Sequence, residues 1–368
     1  MNVLFIGKRF YTNRDALLEK YGRIYQLPWH WSQAGHAATL WLVDYHSTAS
    51  IQSYDGSLRV TSTPVRNLAL LRHWMSGAYR PKEPMDLVVA SGDCYIGWMG
   101  LRVARRLGAR FAFDVYDKYD EFGGYVRPLG FDLFSYLLAQ ADMRLFASRA
   151  LMQDMQRAPT DCLVPNGLDV QRFRPADMQA SRTAMALPLD TLLVGYFGSM
   201  EPERGVVDLI DAVSLLRERG MAVKLVLGGR VTPGLEMNRP GVLYLGNVPY
   251  ERMTTALAAC DLLAVPYRRS SFMDAGASNK IAEAIACRRP LVATRTPNLL
   301  ANFPEQAQQL DAVLAEPGNV ESLALSIECQ AEQRMLVELP AGMGWPDISA
   351  HVIDKLASAQ SRRTPLVP

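Results

Sequence analysis

The sequence is short of patterned metal and disulfide chemistry. Its five cysteines, Cys94, Cys162, Cys260, Cys287 and Cys329, are scattered and form no CxxC pair. An odd, unpatterned set argues against a disulfide framework or a thiolate zinc site and predicts reduced, mostly buried thiols. The histidines (His30, His36, His46, His73, His351) show neither HxH nor HxxxH spacing, so no metal site is expected. An excess of one charge is missing as well. Lys and Arg number 39 against 37 Asp and Glu, for a net charge of +2. That excludes a strong polyelectrolyte partner, and no basic nucleic-acid-binding stripe is present. No apolar run approaches the roughly 20 residues that a spanning helix needs. The first run, Val3-Leu4-Phe5-Ile6, precedes Lys8-Arg9, the wrong length and order for a secretory signal. The expectation is a cytoplasmic protein with at most peripheral membrane contact.

What is present suits two globular cores. Hydrophobic residues make up 49% of the 368 and charged residues 21%, an ordinary soluble balance. Short apolar runs alternate with amphipathic stretches, and continuous strands between helices imply parallel sheets covered on both faces. Strands are expected at 3–6, 39–43, 86–90, 111–115, 143–147 and 161–164. A second series is expected at 192–197, 223–227, 242–245, 261–265 and 290–293. Helical spacing marks 96–107, 206–217 and 345–359. The series restarts near residue 190, after Pro175 and Pro188. The reading is two doubly wound α/β domains, 1–175 and 176–344, facing across a cleft, with the last helix packing back on the first domain. Ligands in such folds sit outside the carboxyl ends of the strands.

Three segments could carry chemistry there. Gly198-Ser199-Met200-Glu201-Pro202-Glu203-Arg204-Gly205 joins a strand to a helix. Gly198 allows close backbone approach, the helix start offers free N–H groups, and Arg204 adds a cation, a set that favours phosphate. An ordinary βα turn reads the same way. In Asp274-Ala275-Gly276-Ala277-Ser278-Asn279-Lys280, a loop of small residues runs into a helix, with Glu283 three residues after Lys280. A first-turn lysine opposes the helix dipole and is better explained beside a bound anion. Glu283 could accept from vicinal hydroxyls such as those of a ribose. The competing reading is a surface Lys–Glu pair. Finally, Asp114, Asp117, Asp120 and Glu121 follow a first-domain strand. They could orient hydroxyls or act as a base, or form a solvated charged loop.

Taken in order, the segments resemble the retaining, GT-B-fold, nucleotide-sugar-dependent glycosyltransferases of family 4 (glycosyl transferases group 1). The resemblance rests on Tyr21-Gly22-Arg23, Gly35-His36-Ala37-Ala38-Thr39, Pro165-Asn166-Gly167-Leu168-Asp169 with Phe173-Arg174-Pro175, Gly198 with Arg204-Gly205, Leu245-Gly246-Asn247-Val248, and Ser278-Asn279-Lys280 with Glu283. It implies two Rossmann-like domains, the first for the acceptor and the second for a UDP- or GDP-sugar donor, with no further cofactor and no metal. Arg204 and Lys280 align with the cations on the diphosphate and Glu283 with the ribose carboxylate. Asp274, Ala277, Ser278 and Asn279 align with the donor-sugar loop. Arg230 and Val248 lie where the base is contacted. Gly198 and Ser199 fall in the phosphate loop, and Gly22 and Arg23 in the first loop. Asp117 is the candidate catalytic carboxylate of the first domain.

The chain departs from that family at three places. Ser199 stands where an arginine is usual, Ala275 where the first of two glutamates is usual, with Asp274 beside it, and Tyr116 where a histidine is frequent. The resemblance implies sugar transfer, with retention by same-face displacement, in cell-surface polysaccharide or glycoconjugate synthesis. The alternatives are a GT-B-fold sugar-nucleotide epimerase and a non-catalytic GT-B subunit. Residues 1–175 hold 21 Lys and Arg against 16 Asp and Glu, and 66–82 mix bases with Leu, Trp and Tyr. This segment is read as a helix that either packs on its own sheet or lies on an anionic bilayer, presenting a lipid-linked or polysaccharide acceptor.

Overall fold

The computed structural model describes residues 1–11, 14–66 and 84–360. The chain divides into two compact units. The first is formed by residues 1–167 and 342–368, the second by residues 168–341. The basic segment 66–82 lies, Arg66 aside, outside the described residues.

The first unit contains strands β1 (Asn2–Lys8), β2 (Ala37–Asp44), β3 (Ile51–Asp55), β4 (Leu58–Pro64), β5 (Leu87–Ser91), β6 (Arg110–Val115), β7 (Met143–Phe146) and β8 (Cys162–Leu163). Among the described residues they form one sheet in the order β8-β7-β6-β5-β1-β2-β4-β3. All neighbours are parallel except β3 and β4. That hairpin is absent from the reading of the sequence. Its cue is Asp55-Gly56, a turn signal between alternating residues. Gly56 has φ +59°, which glycine adopts without strain.

Helix α1 (Gly22–Gln33) buries Ile24, Leu27 and Trp31 on this sheet. Gly22-Arg23 therefore opens a helix rather than standing in a loop. Helices α2 (Cys94–Leu107), α3 (Leu133–Gln140) and α4 (Arg149–Met155) begin at Asp93, Asp132 and Ser148, each capping its helix by accepting a backbone N–H.

The second unit adds α5 (Met178–Ala184), β9 (Leu192–Phe197), α6 (Val206–Glu218), β10 (Val223–Gly228), β11 (Val242–Tyr244), α7 (Tyr250–Ala258), β12 (Leu262–Val265), α8 (Ser271–Ala275), α9 (Asn279–Ala286), β13 (Leu291–Ala293) and α10 (Val320–Gln333). Its sheet runs β11-β10-β9-β12-β13 and is wholly parallel. Arg182 and Asp261 form a buried ion pair here, and Arg182 also donates to the carbonyls of Ala259 and Leu189.

The last helix, α11 (Trp345–Gln360), returns to the first unit. Trp345, Ile348, Val352, Ile353 and Leu356 join its core beside Trp31 and Leu27. Trp31 Nε1 donates to the Ser349 carbonyl at 3.0 Å and Arg110 Nη2 to the Leu356 carbonyl at 2.8 Å. Gly167 is needed there: a Cβ would lie 2.4 Å from the Trp345 ring. Cys94, Cys162, Cys260 and Cys287 are buried thiols, and Cys329 is half-buried.

Candidate functional site

The polar residues of the second unit gather outside the carboxyl ends of β9, β10 and β12. The loops after β9 and β10 are bonded to each other. Gly198 N–H donates to the Gly228 carbonyl at 2.7 Å, and Met200 N–H to the Arg230 carbonyl at 3.0 Å. Gly229, at φ +129°, lies so close that a Cβ would stand 2.1 Å from the Gly198 carbonyl oxygen. Gly205, at φ +67°, is pressed on the loop after β12, with room for no Cβ beside the Pro266 carbonyl at 1.8 Å. Arg268 N–H donates to the Glu203 carbonyl, and its guanidinium pairs with Asp208 at the start of α6.

This scaffold brings two cations together around Tyr267. The Arg204 guanidinium lies over the Tyr267 ring, 5.2 Å from its centroid. The Lys280 ammonium lies 5.9 Å from the centroid of Tyr196. A Cβ on Gly198 would sit 2.3 Å from Lys280 Cε and 2.7 Å from Nζ. Gly198 thus makes room for the lysine side chain. Ser278 caps α9, accepting from Lys280 N–H at 3.3 Å, and its hydroxyl lies 2.8 Å from the Tyr267 hydroxyl. Burial raises the Tyr267 pKa, but Lys280, Arg204 and the hydrogen bonds from Ser278 and Arg204 outweigh it, leaving it below the ordinary tyrosine value. Tyr196, whose hydroxyl donates to the Ser199 carbonyl at 2.7 Å, is pushed well up by burial. The sequence reading missed Tyr267. Its cue is position, two residues past the end of β12.

The remaining expected donor residues divide. Ser199 is half-buried beside Glu201, whose carboxyl is raised by burial but lowered further by Ser199, Arg230 and Arg204. Arg230 is exposed and pairs with Glu201 at 2.8 Å. Ala277 and Asn279 are half-buried around the start of α9, and Glu283 follows Lys280 one turn later, also half-buried. Asp274, beside the Ala275 that stands in place of the usual glutamate, is engaged by an arginine. Arg269 Nε holds both of its oxygens, at 2.9 and 2.8 Å, while Ala275 is buried. Val248 is buried too. Its Cγ2 would lie 2.8 Å from a Cβ on Gly228, so its side chain fills the space under the loop.

In the first unit, Arg23 turns inward and Gly22 packs against Tyr11. Arg23 is 1% exposed and gives its guanidinium to Asp114 at 2.9 and 2.6 Å, to the Val164 carbonyl at 2.9 Å and to Asn166 at 3.0 Å. Ser91 also donates to Asp114 at 2.6 Å. With Asp114 fully buried, this is an ion pair inside the unit, where a lone charge would be costly. Gly22, at φ +66°, admits the Tyr11 hydroxyl, which would stand 1.4 Å from a Cβ. The run of four carboxylates does not converge either. Asp120 pairs with Arg127, Glu121 with Lys118, and Asp117 accepts from Lys118 N–H at 3.0 Å while remaining half-buried. Among the described residues no group of three or more His, Cys, Asp or Glu is placed to hold a metal ion.

Comparison with known proteins agrees on fold. The chain is similar to a D-inositol 3-phosphate glycosyltransferase of Corynebacterium jeikeium, 30% identical over 44% of this chain and 43% of the relative. It is also similar to a GDP-mannose-dependent monoacylated alpha-(1-6)-phosphatidylinositol monomannoside mannosyltransferase of Corynebacterium glutamicum, 28% identical over 45% of each. The chain thus spans less than half the length of these curated relatives. Among solved structures it resembles Anabaena HepE in complex with UDP, at 18% identity and TM-score 0.65, covering 98% of this chain and 95% of that one. It likewise resembles the catalytic domain of Arabidopsis thaliana starch synthase IV bound to ADP and acarbose, at 14% identity and TM-score 0.64, covering 98% and 100%. The family model of glycosyl transferases group 1 matches residues 191–332. The fold is GT-B, and the stretch similar to glycosyl transferases group 1 lies within the second unit.

Proposed function

We propose that this protein transfers a sugar from a nucleoside diphosphate sugar to a glycan, lipid-linked or small-molecule acceptor, with retention. The observation that carries the reading is the pair of cations, Arg204 and Lys280, at the mouths of α6 and α9 on either side of Tyr267. Both lie within residues 191–332, the stretch that matches glycosyl transferases group 1. Such a mouth suits a diphosphate, since helix N-termini and fixed cations both favour anions. As the glycosidic bond breaks, the leaving diphosphate gains negative charge. Groups that bind it more tightly then than in the ground state lower the barrier. Two cations and two helix starts supply this without a metal. Glu283, half-buried one turn beyond Lys280, takes the ribose hydroxyls, and the first unit takes the acceptor.

The bound UDP of HepE and the GDP-mannose named for the corynebacterial relative belong to those proteins. They fix the first donors to try. We place the activity on the cytoplasmic side of a membrane, in cell-surface polysaccharide or glycoconjugate synthesis. Incubation with a panel of UDP- and GDP-sugars, following released nucleotide, tests the reading, with calorimetric titration of UDP and GDP alongside. Binding of one nucleotide and turnover of its sugar is the expected result. Binding without turnover favours the non-catalytic subunit, and neither binding nor turnover overturns the donor site.

A further inference from the structure

The first unit carries an apolar surface that its own fold does not cover. Between the short turn at 119–121 and α3, the chain presents Val126, Leu129 and Phe131 to solvent, at 61%, 109% and 50% exposure. Leu129 sits at the tip with φ +51°, the left-handed conformation that a branched L residue disfavours. A turn that leaves a leucine both wholly exposed and strained gains nothing from it within the fold. The neighbouring face of α2 continues the surface. Tyr95 and Trp98, three residues apart, are 45% and 43% exposed, and the Tyr95 hydroxyl donates to the Gly124 carbonyl at 3.1 Å.

The charge on this surface is positive. Helix α2 contains Arg102, Arg105 and Arg106 and no carboxylate. Arg102 lies 5.6 Å from the Trp98 ring centroid. Arg105 donates to Gln140 at 2.6 Å and to Tyr136 at 3.5 Å, and Tyr136 meets the Phe131 ring at 5.5 Å. The contacts join arginines, Trp98 and the apolar tip into one surface. Arg127 is met by Asp120 and Asp132 at 3.3 and 3.4 Å, and α2 adds Arg102 and Arg105 to the surface.

We infer that this surface, the tip Val126–Phe131 with the Trp98–Arg105 face of α2, seats on a bilayer carrying anionic lipid. Apolar side chains on a protruding turn suit insertion between lipids better than a flat protein contact. Tyr and Trp suit the headgroup level, and arginines beside them suit lipid phosphates. The surface starts at the carboxyl edge of the first sheet, where α2 begins, so a lipid-linked acceptor would be held close to that edge. The inference rests on the membrane-side placement proposed above and concerns a surface other than the segment 66–82. It uses none of the donor chemistry.

Vesicle co-sedimentation at low and physiological salt, without donor, tests it. The wild-type chain is expected to sediment with vesicles of phosphatidylcholine and phosphatidylglycerol and to stay in solution with phosphatidylcholine alone. Arg102→Gln with Arg105→Gln should weaken partitioning about thirtyfold, roughly fivefold per arginine. Leu129→Ser with Phe131→Ser should abolish sedimentation while the melting temperature holds. No sedimentation of the wild type with anionic vesicles overturns the inference, as does equal sedimentation with neutral ones. Unchanged sedimentation of both double variants also overturns it and sends the contact elsewhere. None of these results touches the transferase reading.

Discussion

Gly198 combines an unusual backbone angle with a side chain that crosses it. Lys280 Cε and Nζ lie close to where a Cβ would be, and the glycine's φ of +149° is one that L side chains rarely adopt. Two predictions belong at this scale. Arg204→Ala and Lys280→Ala should each leave the fold intact, since neither side chain lies in the apolar core. Each should raise the barrier to transfer by about 2–4 kcal/mol, the usual loss for one contact to a developing charge. Steady-state rates with a turned-over donor, beside circular dichroism, check this. Near wild-type kcat/KM in both would remove them from the reaction. Tyr267→Phe should shift nucleotide affinity by roughly 1 kcal/mol, the size of one lost hydrogen bond. Because the two cations lower its pKa, the wild type should also show tyrosinate absorbance at lower pH than the variant. Identical alkaline titrations would show that the hydroxyl is not held between them.

At the scale of elements, the loops after β9 and β12 depend on Gly205. Gly205→Ala combines a left-handed backbone with a contact of 1.8 Å to the Pro266 carbonyl, and should cost at least about 2 kcal/mol. Gly220, at φ +89° with nothing within 4 Å of a Cβ, is the control, and its alanine should cost only about 1 kcal/mol. Urea midpoints compare the two, and equal losses would mean that the loops can separate freely. Helix α1 and the turn after it carry a pH dependence. Burial lowers the pKa of His30, and burial with the N-terminal ammonium lowers that of His36, from the ordinary 6.5. Below that value the unfolded chain takes up protons the native state refuses, so stability is full above it and falls with pH. The urea midpoint should be lower at pH about 5.5 than at about 7.5. His30→Gln with His36→Gln should narrow the gap, and an unchanged gap would place it in other groups.

The same elements show what the sequence could disclose. Buried parallel strands such as Leu192–Phe197 are continuous apolar runs, and both series were readable to within a residue or two at their ends. The β3–β4 hairpin was not read because β3 is an edge strand of alternating exposure, and β4, though buried, mixes Arg, Thr and Ser with its apolar residues. Helix α1 was hidden by Gly22 and by Pro28 within it. Arg204, Lys280 and Gly198 could be named from their loops, but their convergence on Tyr267 needs the three-dimensional placement of β12. Arg23 looked like a ligand contact because a charge in sequence carries no record of its partner, and Asp114 is 91 residues away.

For the whole molecule, the decisive element is α11. Deleting residues 342–368 removes Trp345, Ile348, Val352, Ile353 and Leu356 from the first core. At roughly 1.5–3 kcal/mol for each buried side chain, the loss matches the entire stability of an ordinary domain. The first unit should therefore unfold in the truncated chain, while the second, contiguous at 168–341, keeps its own transition in a melting experiment. A truncated chain that retains both transitions would show that α11 only decorates the first core.

The return of α11 also sets an order of manufacture. A chain made from its N-terminus usually completes its domains in the order they are written. Here the earlier-written unit stays open along α1 until residues 345–356 have left the ribosome, and the later-written unit already has every residue it needs. The nascent first sheet must wait through the synthesis of about 175 further residues, exposing Trp31 and Leu27 to chaperones and to other nascent chains. Translation speed over the second unit thus becomes a determinant of how much of the first one reaches its native state.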